Sequence, residues 1–213
     1  MENTTIEQIA ATVAHELKNP IALVLANIDL LELDDKDNKN QKVYNTMRRE
    51  LNNVMNIMLD FIQLSKNTEL DIEIFDVNDL LLQIVDNCQV INKNNAEYIF
   101  ESSESCINIG ADKTRLGRVF LNIYKNAIES GCGKIYINTS VEDGLINVTI
   151  KDNGVGMSES TKQRIMSPFF TTKDGGSGLG IFISKVIVEE HKGVFEINSE
   201  ENKGCTVIIK LPA

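Results

Sequence analysis

The sequence predicts an α+β protein in which an N-terminal helical hairpin precedes a mixed α/β domain. Over residues 5–67, apolar residues recur at helical spacing on both sides of a polar run, which is typical of two helices joined by a turn. After residue 67, short β-branched segments alternate with helical ones. A length of 213 residues suits two modest domains. We therefore expect a boundary within residues 67–75, with domains at 1–70 and 71–213.

The composition excludes several functional classes. The chain carries 31 acidic and 21 basic residues, and the acidic excess is spread over its length, so a cationic nucleic-acid surface is not expected. The chain has no run of about 18 apolar residues and no secretion signal, so we expect no membrane insertion and a cytoplasmic location. The four cysteines and two histidines are widely spaced, which argues against a zinc site or a disulfide scaffold.

The hairpin is predicted from two amphipathic segments, residues 5–33 and about 44–65, separated by the polar residues 34–40. Each helix would be about 40 Å long, and two isolated helices cannot bury stripes of that length. The apolar residues of the two stripes are Ile6, Ile9, Val13, Leu17, Val24, Ile28 and Leu31, followed by Tyr44, Met47, Leu51, Val54, Met58 and Phe61.

These stripes predict a partner for the hairpin. The simplest solution is a homodimer in which two hairpins form a four-helix bundle. Docking of the hairpin on its own C-terminal domain is the alternative. In the dimer, Leu51→Asp and Met58→Asp are expected to prevent association because they bury charge.

Three helices and six strands are expected in the C-terminal domain. Each predicted strand is a short β-branched segment next to turn residues, and each predicted helix has apolar residues three and four apart. The helices lie at about 77–91, 113–130 and 178–191, and the strands near 97–101, 106–109, 133–140, 145–151, 193–199 and 205–211.

His15 is the first candidate for chemistry. A lone histidine is more often structural than reactive, but helical spacing places His15 opposite the apolar stripe and predicts an exposed ring. An exposed imidazole has a pKa of about 6.5 and, when neutral, is a competent nucleophile toward phosphorus. Glu16 can orient the ring or accept its proton. Pro20 predicts a bend one turn beyond His15, either functional or a surface kink without consequence.

Three further segments carry residues suited to binding a ligand. Asn122 and Asn126 lie four apart on one edge of a predicted helix, where their amides can hold a metal ion and phosphate oxygens or be solvated. Asp152 ends a predicted strand, and the glycines of Asp152–Gly156 are typical of close approach to a flat ligand or of a plain turn. The glycine-rich run 174–181 before a helix is typical of a phosphate cradle, although it matches neither the P-loop nor the dinucleotide-binding pattern.

Taken in order, these segments resemble the sequence boxes of two-component sensor histidine kinases, over nearly the whole chain. The resemblance implies a dimerisation and histidine-phosphotransfer domain at 1–70. It implies a catalytic ATP-binding domain at 71–213, a two-layer α/β sandwich of the Bergerat type found in gyrase and heat-shock chaperone ATPases. The matching segments are His15–Pro20 (H box), Asn122–Ala127 (N box), Asp152–Gly156 (G1 box), Pro168–Lys173 (F box), Gly176–Ile181 (G2 box) and the closing Gly204–Thr206.

The resemblance implies a reaction and the residues that carry it out. His15 would be phosphorylated with ATP and Mg²⁺, and the phosphoryl group would pass to an aspartate in the receiver domain of a response regulator. Glu16 would be the acid or base neighbour of His15. Asn19 matches the position linked in the family to dephosphorylation of the partner. The hinge at 67–75 would let the ATP domain approach the hairpin.

The resemblance also implies the nucleotide contacts. Asp152 would accept a hydrogen bond from the adenine amino group, and Asn126 would ligate Mg²⁺. Related ATPases of this fold carry a glutamate where Asn122 stands, and since an amide cannot act as a base, transfer to histidine is favoured over hydrolysis. The remaining implied contacts are Asn122 and Lys125 near the phosphates, Gly154 and Gly156 at the adenine ring, Thr171, Thr172, Lys173, Gly176, Gly178, Leu179 and Gly180 in a short mobile lid over the triphosphate, and Thr206 in the last motif.

The chain also departs from the family pattern. Glu129 stands where many sensor kinases have a phosphate-contacting lysine, although the subgroup resembling nitrogen-regulation and sporulation kinases also has an acid there. Ser167 replaces the usual glutamate before Pro168. Only 14 residues precede His15, so we expect the sensor domain to be missing from this chain or to be a separate protein.

Two alternative functions and one further histidine complete the predictions. The chain can be a phosphotransfer or docking module, or a regulator phosphatase, with a weak or vestigial ATP site. A serine kinase of the anti-sigma type is more distant, because the H-box hairpin argues against it. His191 is interpreted as a structural residue, favourable at the C-terminus of the last predicted helix.

Overall fold

The chain forms two compact units. The first consists of Met1–Glu69 with Thr171–Leu179, and the second of Leu70–Phe170 with Gly180–Ala213. The computed structural model describes residues 2–35, 39–65, 69–91, 96–173 and 176–213.

The first unit contains two long helices, α1 (Glu2–Asp34) and α2 (Gln41–Ser65). Pro20 lies within α1, which continues past it to Asp34, and the bend predicted there stays a prediction. The contacts between the helices run in opposite order along the two, so the predicted antiparallel hairpin is confirmed. These contacts pair Gln41 with Glu32, Tyr44 with Leu31, and Arg48 with both Glu32 and Asp29.

Apolar residues of the hairpin form a buried stripe and an exposed one. In α1, Ile21 and Ile28 are 8% and 3% exposed, whereas Val24 and Leu31, also seven residues apart, are 45% and 54% exposed. The hairpin therefore carries a second apolar face that the described residues leave open to solvent. The same division occurs in α2, where Tyr44 and Met58 are buried and Met47 and Val54 are exposed.

The second unit contains all nine elements predicted for it, with boundaries shifted by at most two residues. Two short elements, β1 and α5, were not predicted, because four and six residues are too few to show a period. The helices are α3 (Val77–Ile91), α4 (Lys113–Glu129), α5 (Glu159–Arg164) and α6 (Gly180–Glu190), and the strands are β1 (Glu73–Asp76), β2 (Glu97–Ser102), β3 (Asn108–Ala111), β4 (Lys134–Glu142), β5 (Leu145–Asp152), β6 (Val194–Glu200) and β7 (Gly204–Pro212).

Five of these strands form one mixed sheet in the order β2-β4-β5-β7-β6. Strands β2 and β4 are parallel, and all other neighbours in this sheet are antiparallel. Strands β1 and β3 pair separately as an antiparallel ribbon. Helix α4 packs against α3 and α6 and contacts β5 at the centre of the sheet, so the predicted two-layer α/β sandwich is confirmed.

Burial alternates along the central strand and sets the position of the site. Ile146, Val148 and Ile150 of β5 are at most 3% exposed and share one face of the sheet. Asp152, two residues further on, continues this buried face at the end of the strand. The fold thus places a carboxylate at the edge of the core.

None of the helices within the described ranges combines the length and the apolar character that crossing a bilayer requires.

Candidate functional site

The carboxylate of Asp152 is a buried polar group of the second unit and is 5% exposed. Three donors converge on its Oδ1 atom: the Gly154 amide at 2.8 Å, the Ser130 hydroxyl at 3.2 Å and the Cys205 amide at 3.3 Å. Such donors stabilise a buried carboxylate and hold it in one orientation.

The other oxygen of Asp152, Oδ2, is available to a ligand. Within the described part of the chain it accepts no hydrogen bond. No fully buried polar side-chain atom among the described residues lacks a partner, so Oδ2 is accessible from outside the core. An accessible acceptor at the rim of an apolar core suits a flat ligand that donates an N–H group.

Gly154 and Gly156 are required by the packing of the chain itself, and their predicted close approach to a ligand stays a prediction. A Cβ atom on Gly154 would lie 1.9 Å from the Ser130 hydroxyl oxygen, and one on Gly156 would lie 2.0 Å from the Glu200 carbonyl oxygen. Gly156 also has a positive φ of 63°. These contacts explain both glycines without a ligand, so their spacing alone does not indicate one.

Helix α4 begins at a cap provided by Asp112, whose side chain accepts a hydrogen bond from the Arg115 amide at 2.9 Å. Its predicted buried face is confirmed, and Tyr124 is an additional buried member. Asn126 is half-buried and Lys125 is exposed on this helix. The buried residues are Leu116, Val119, Phe120, Ile123, Tyr124, Ala127 and Ile128.

Asn122 lies where α4 meets the start of α6. Its amide nitrogen donates to the Ser184 hydroxyl at 3.0 Å. A Cβ atom on Gly180 would lie 2.5 Å from the Asn122 Oδ1 atom, so glycine lets the start of α6 approach the Asn122 amide without displacing it. The structure thus brings Asn122 together with Gly180, two of the predicted site residues.

The predicted lid segment belongs to the first unit. Thr171, Thr172 and Lys173 are exposed, and the Thr171 hydroxyl accepts from the Lys173 amide at 3.0 Å. Asp174 and Gly175 lie outside the described residues. The position of this segment over a triphosphate stays a prediction. The remaining predicted lid residues are the exposed Gly176, Gly178 with a φ of 66°, and the buried Leu179.

The predicted phosphoacceptor lies in α1. The backbone at His15 and Glu16 is helical, but their side chains lie outside what the structure describes, so the predicted exposure of the ring stays a prediction. Asn19, one turn further on, is exposed.

At the start of β7, the predicted last motif makes a contact with Asp152 that the sequence did not reveal. Thr206 is half-buried and pairs with Lys151 of β5, and this pairing brings the Cys205 amide to Asp152. Burial, together with the charge of Asp152, raises the pKa of the Cys205 thiol to about 11, so this thiol stays neutral near pH 7. Ser130 and Cys205 were both missed because only the tertiary fold joins them to Asp152.

The structural role predicted for His191 is confirmed, and the structure gives a reason for it that the sequence did not reveal. His191 is buried, and its Nε2 atom accepts a hydrogen bond from the Asp112 amide at 3.0 Å. Its Nδ1 atom donates to the Ile187 carbonyl at 2.7 Å. His191 therefore connects the end of α6 to the start of α4.

Replacing His191 by leucine should destabilise the second unit. The change leaves the buried Asp112 amide without its acceptor, which costs about 1–3 kcal/mol of unfolding free energy. Urea unfolding measures this loss, and His191→Gln, which retains an acceptor, should lose less. A leucine variant as stable as the unaltered chain would contradict the role assigned to this ring.

Two family matches cover most of the chain. Residues 5–70 match the His Kinase A (phospho-acceptor) domain. Residues 111–213 match the histidine kinase-, DNA gyrase B-, and HSP90-like ATPase family.

Relatives match along nearly the whole chain. Sporulation kinase B of Bacillus subtilis (strain 168) is 33% identical over 216 residues, which cover 99% of this chain and 50% of the relative. The sensor histidine kinase ZraS of Escherichia coli (strain K12) is 31% identical, with 96% of this chain and 45% of the relative covered. The chain thus spans half or less of the length of these relatives.

Solved structures of histidine kinases also match this chain. The catalytic domain of histidine kinase ThkA is 33% identical, with a TM-score of 0.60, and the match covers 67% of this chain and 95% of that domain. A structure of ThkA in complex with the response regulator protein TrrA is 28% identical, with a TM-score of 0.71, and the match covers 98% of this chain and 62% of the ThkA chain. Full-length ShkA, at 23% identity and a TM-score of 0.82, shares the fold over 97% of this chain and 46% of its own.

Proposed function

Because this chain belongs to the histidine kinases of two-component systems and carries their catalytic core, we propose that it is an ATP-dependent protein-histidine kinase. It phosphorylates its own His15 and passes the phosphoryl group to an aspartate of a response-regulator receiver domain. Residues 1–70 form the dimerisation and phosphotransfer domain, and residues 71–213 the catalytic ATP-binding domain. ATP is available inside the cell, so we place this activity in the cytoplasm.

The observation that carries this proposal is the arrangement of Asp152. Its Oδ1 atom is held by three donors while Oδ2 is left available. An acceptor in this position selects a base with an exocyclic amine, which adenine has. Thr206 of β7 directly follows Cys205, whose amide donates to this carboxylate, and we include Thr206 in the adenine site.

The phosphate end of the nucleotide is assigned to α4 and to the lid. Asn122 and Lys125 lie near the phosphates, and Lys125 is exposed on α4 and able to supply a positive charge. The lid closes over the triphosphate through its hydroxyl groups, its lysine and its backbone amides. The lid residues are Thr171, Thr172, Lys173, Gly176, Gly178, Leu179 and Gly180.

Asn126 is the residue that we propose to hold Mg²⁺. The donor chemistry fits, because Mg²⁺ prefers oxygen ligands and the half-buried Asn126 supplies an amide oxygen. The ion would neutralise negative charge on the triphosphate.

The chemical step follows from the residues named. A ring nitrogen of His15 attacks the γ-phosphorus, a P–N bond forms, and the P–O bond to ADP breaks with ADP as the leaving group. Glu16 accepts the proton that the ring releases. Asn122 cannot act as a base, so water is not activated in competition with His15.

The reaction product identifies this activity. Incubation with γ-labelled ATP and Mg²⁺ should place on the chain a label that is stable in alkali and lost in acid, as expected of a P–N bond. Subsequent addition of a receiver domain should remove it. An unlabelled chain that binds ATP would contradict the proposed kinase activity and favour a phosphotransfer or docking module.

We also propose that the exposed stripe of the hairpin is the homodimer interface. Val24 and Leu31 of α1 and Met47 and Val54 of α2 repeat at the seven-residue spacing of a helical bundle while exposed in the single chain. A second hairpin would cover them. Met58 is already buried in the single chain, so the expected Met58→Asp effect does not test the interface alone.

Val24→Asp combined with Val54→Asp should therefore weaken the dimer by about 100-fold or more, because a carboxylate would be desolvated on each helix. Light scattering over a range of protein concentrations measures the change. Asn52→Asp adds the same charge at an exposed polar position of α2 and should leave the dimer intact. A dimer that survives the double substitution would contradict this interface.

A further inference from the structure

We infer that Ser130 is a positioning residue of the nucleotide site, which holds Asp152 so that Oδ2 meets the amino group of adenine. This inference rests on the proposed function, since it assigns a role within the same site. Ser130 directly follows the last residue of α4, the helix that carries Asn122 and Asn126. It therefore links the phosphate side of the site to the base side.

The hydrogen bonds of Ser130 give the first argument. Its hydroxyl lies 2.7 Å from the Ala127 carbonyl oxygen and 3.2 Å from the Asp152 Oδ1 atom, and it shares one proton between these two acceptors. The other donors to Oδ1 are the backbone amides of Gly154 and Cys205. Ser130 is thus the one side chain, among the described residues, that donates to Asp152.

The turn after β5 gives an independent argument, because it is shaped around Ser130. A Cβ atom on Gly154 would lie 1.9 Å from the Ser130 hydroxyl oxygen and 2.6 Å from its Cβ. Only glycine leaves room for the serine side chain against this turn. The Gly154 backbone, whose amide donates to Asp152, therefore packs against Ser130, whose hydroxyl donates to the same carboxylate.

These contacts fix the plane of the carboxylate. Donors from the turn, from β7 and from the end of α4 approach Oδ1 from three separate segments of the chain. Removing the α4 donor leaves Asp152 in place but frees it to rotate. Because Ser130 acts through Asp152, its contribution to nucleotide affinity should depend on whether the base carries an amino group that donates a hydrogen bond to Oδ2.

Two nucleotides separate this role from a general structural one. Purine riboside triphosphate lacks the 6-amino group of ATP but is otherwise the same. We expect Ser130→Ala to weaken ATP binding by about fivefold and to leave the affinity for purine riboside triphosphate unchanged. Ser130→Thr, which retains the hydroxyl, should restore ATP binding. Calorimetry with the full chain measures both dissociation constants.

Thr46→Ala is the matched control. The Thr46 hydroxyl also donates to a backbone carbonyl, that of Lys42, at 2.8 Å, and it lies on α2, outside the catalytic unit. This variant should bind both nucleotides as the unaltered chain does.

The outcomes distinguish the two proposals. An alanine variant that binds ATP normally, or that loses affinity for both nucleotides equally, would overturn the positioning role while leaving the proposed function intact. Failure of the unaltered chain to bind ATP would overturn the proposed function, and the role of Ser130 with it.

Discussion

Replacing Asp152 by asparagine is expected to weaken ATP binding by about 100-fold, the largest loss that any single change in the catalytic unit should cause. Asparagine keeps the shape of the side chain, and its carbonyl oxygen can still accept from Gly154, Ser130 and Cys205. Its amide nitrogen takes the place of Oδ2. A donor then faces the adenine amino group, which is also a donor, so binding is lost while the fold is retained.

The same substitution should change the preference for the base. Inosine triphosphate presents an oxygen where ATP presents the amino group, and the asparagine amide can donate to it. The affinity for inosine triphosphate relative to ATP should therefore rise in Asp152→Asn. Isothermal calorimetry measures both affinities. Asp143→Asn removes a carboxylate in an exposed turn and is expected to change neither. Normal ATP binding by Asp152→Asn would refute the assignment of the adenine site.

Replacing His15 by glutamine should abolish covalent labelling from γ-labelled ATP and leave ATP affinity unchanged. Glutamine is a good helix former, so α1 is retained, while the lone pair of its amide nitrogen is delocalised into the carbonyl group and cannot attack phosphorus. The proposed ATP site consists of residues outside α1, which explains why binding should persist. Acid-labile label that persists at the unaltered level in His15→Gln would refute His15 as the acceptor.

Much of the fold could be predicted from periodicity. The long elements show a clear period in their sequence. The apolar stripes of α1 and α2 have helical spacing, and the β-branched run of β5 ends at Asp152 as expected. Elements of four and six residues, β1 and α5, do not span enough residues to show a period. The length of an element, rather than the helix or strand propensity of any one residue, separates the predicted elements from those missed.

The candidate site was predictable only in part. Asp152 could be identified because a carboxylate followed by glycines at a strand end is a local pattern. Its supports are non-local: Ser130 is 22 residues away and Cys205 is 53 residues away in sequence. Gly154 and Gly156 illustrate the same limit, since their spacing indicated a ligand or a turn but did not reveal their packing against Ser130 and Glu200. A single sequence carries no signal for such tertiary contacts.

The proposed kinase activity is tested most directly by identifying the residue that receives the γ-phosphoryl group. The chain has only two histidines, His15 and His191, and the second is buried with both ring nitrogens hydrogen-bonded. Mass spectrometry of peptides kept at alkaline pH after incubation with ATP and Mg²⁺ should place the phosphoryl group on His15. A phosphoryl group on His191 or on a serine or threonine, or none on a chain that binds ATP, would contradict autophosphorylation of His15.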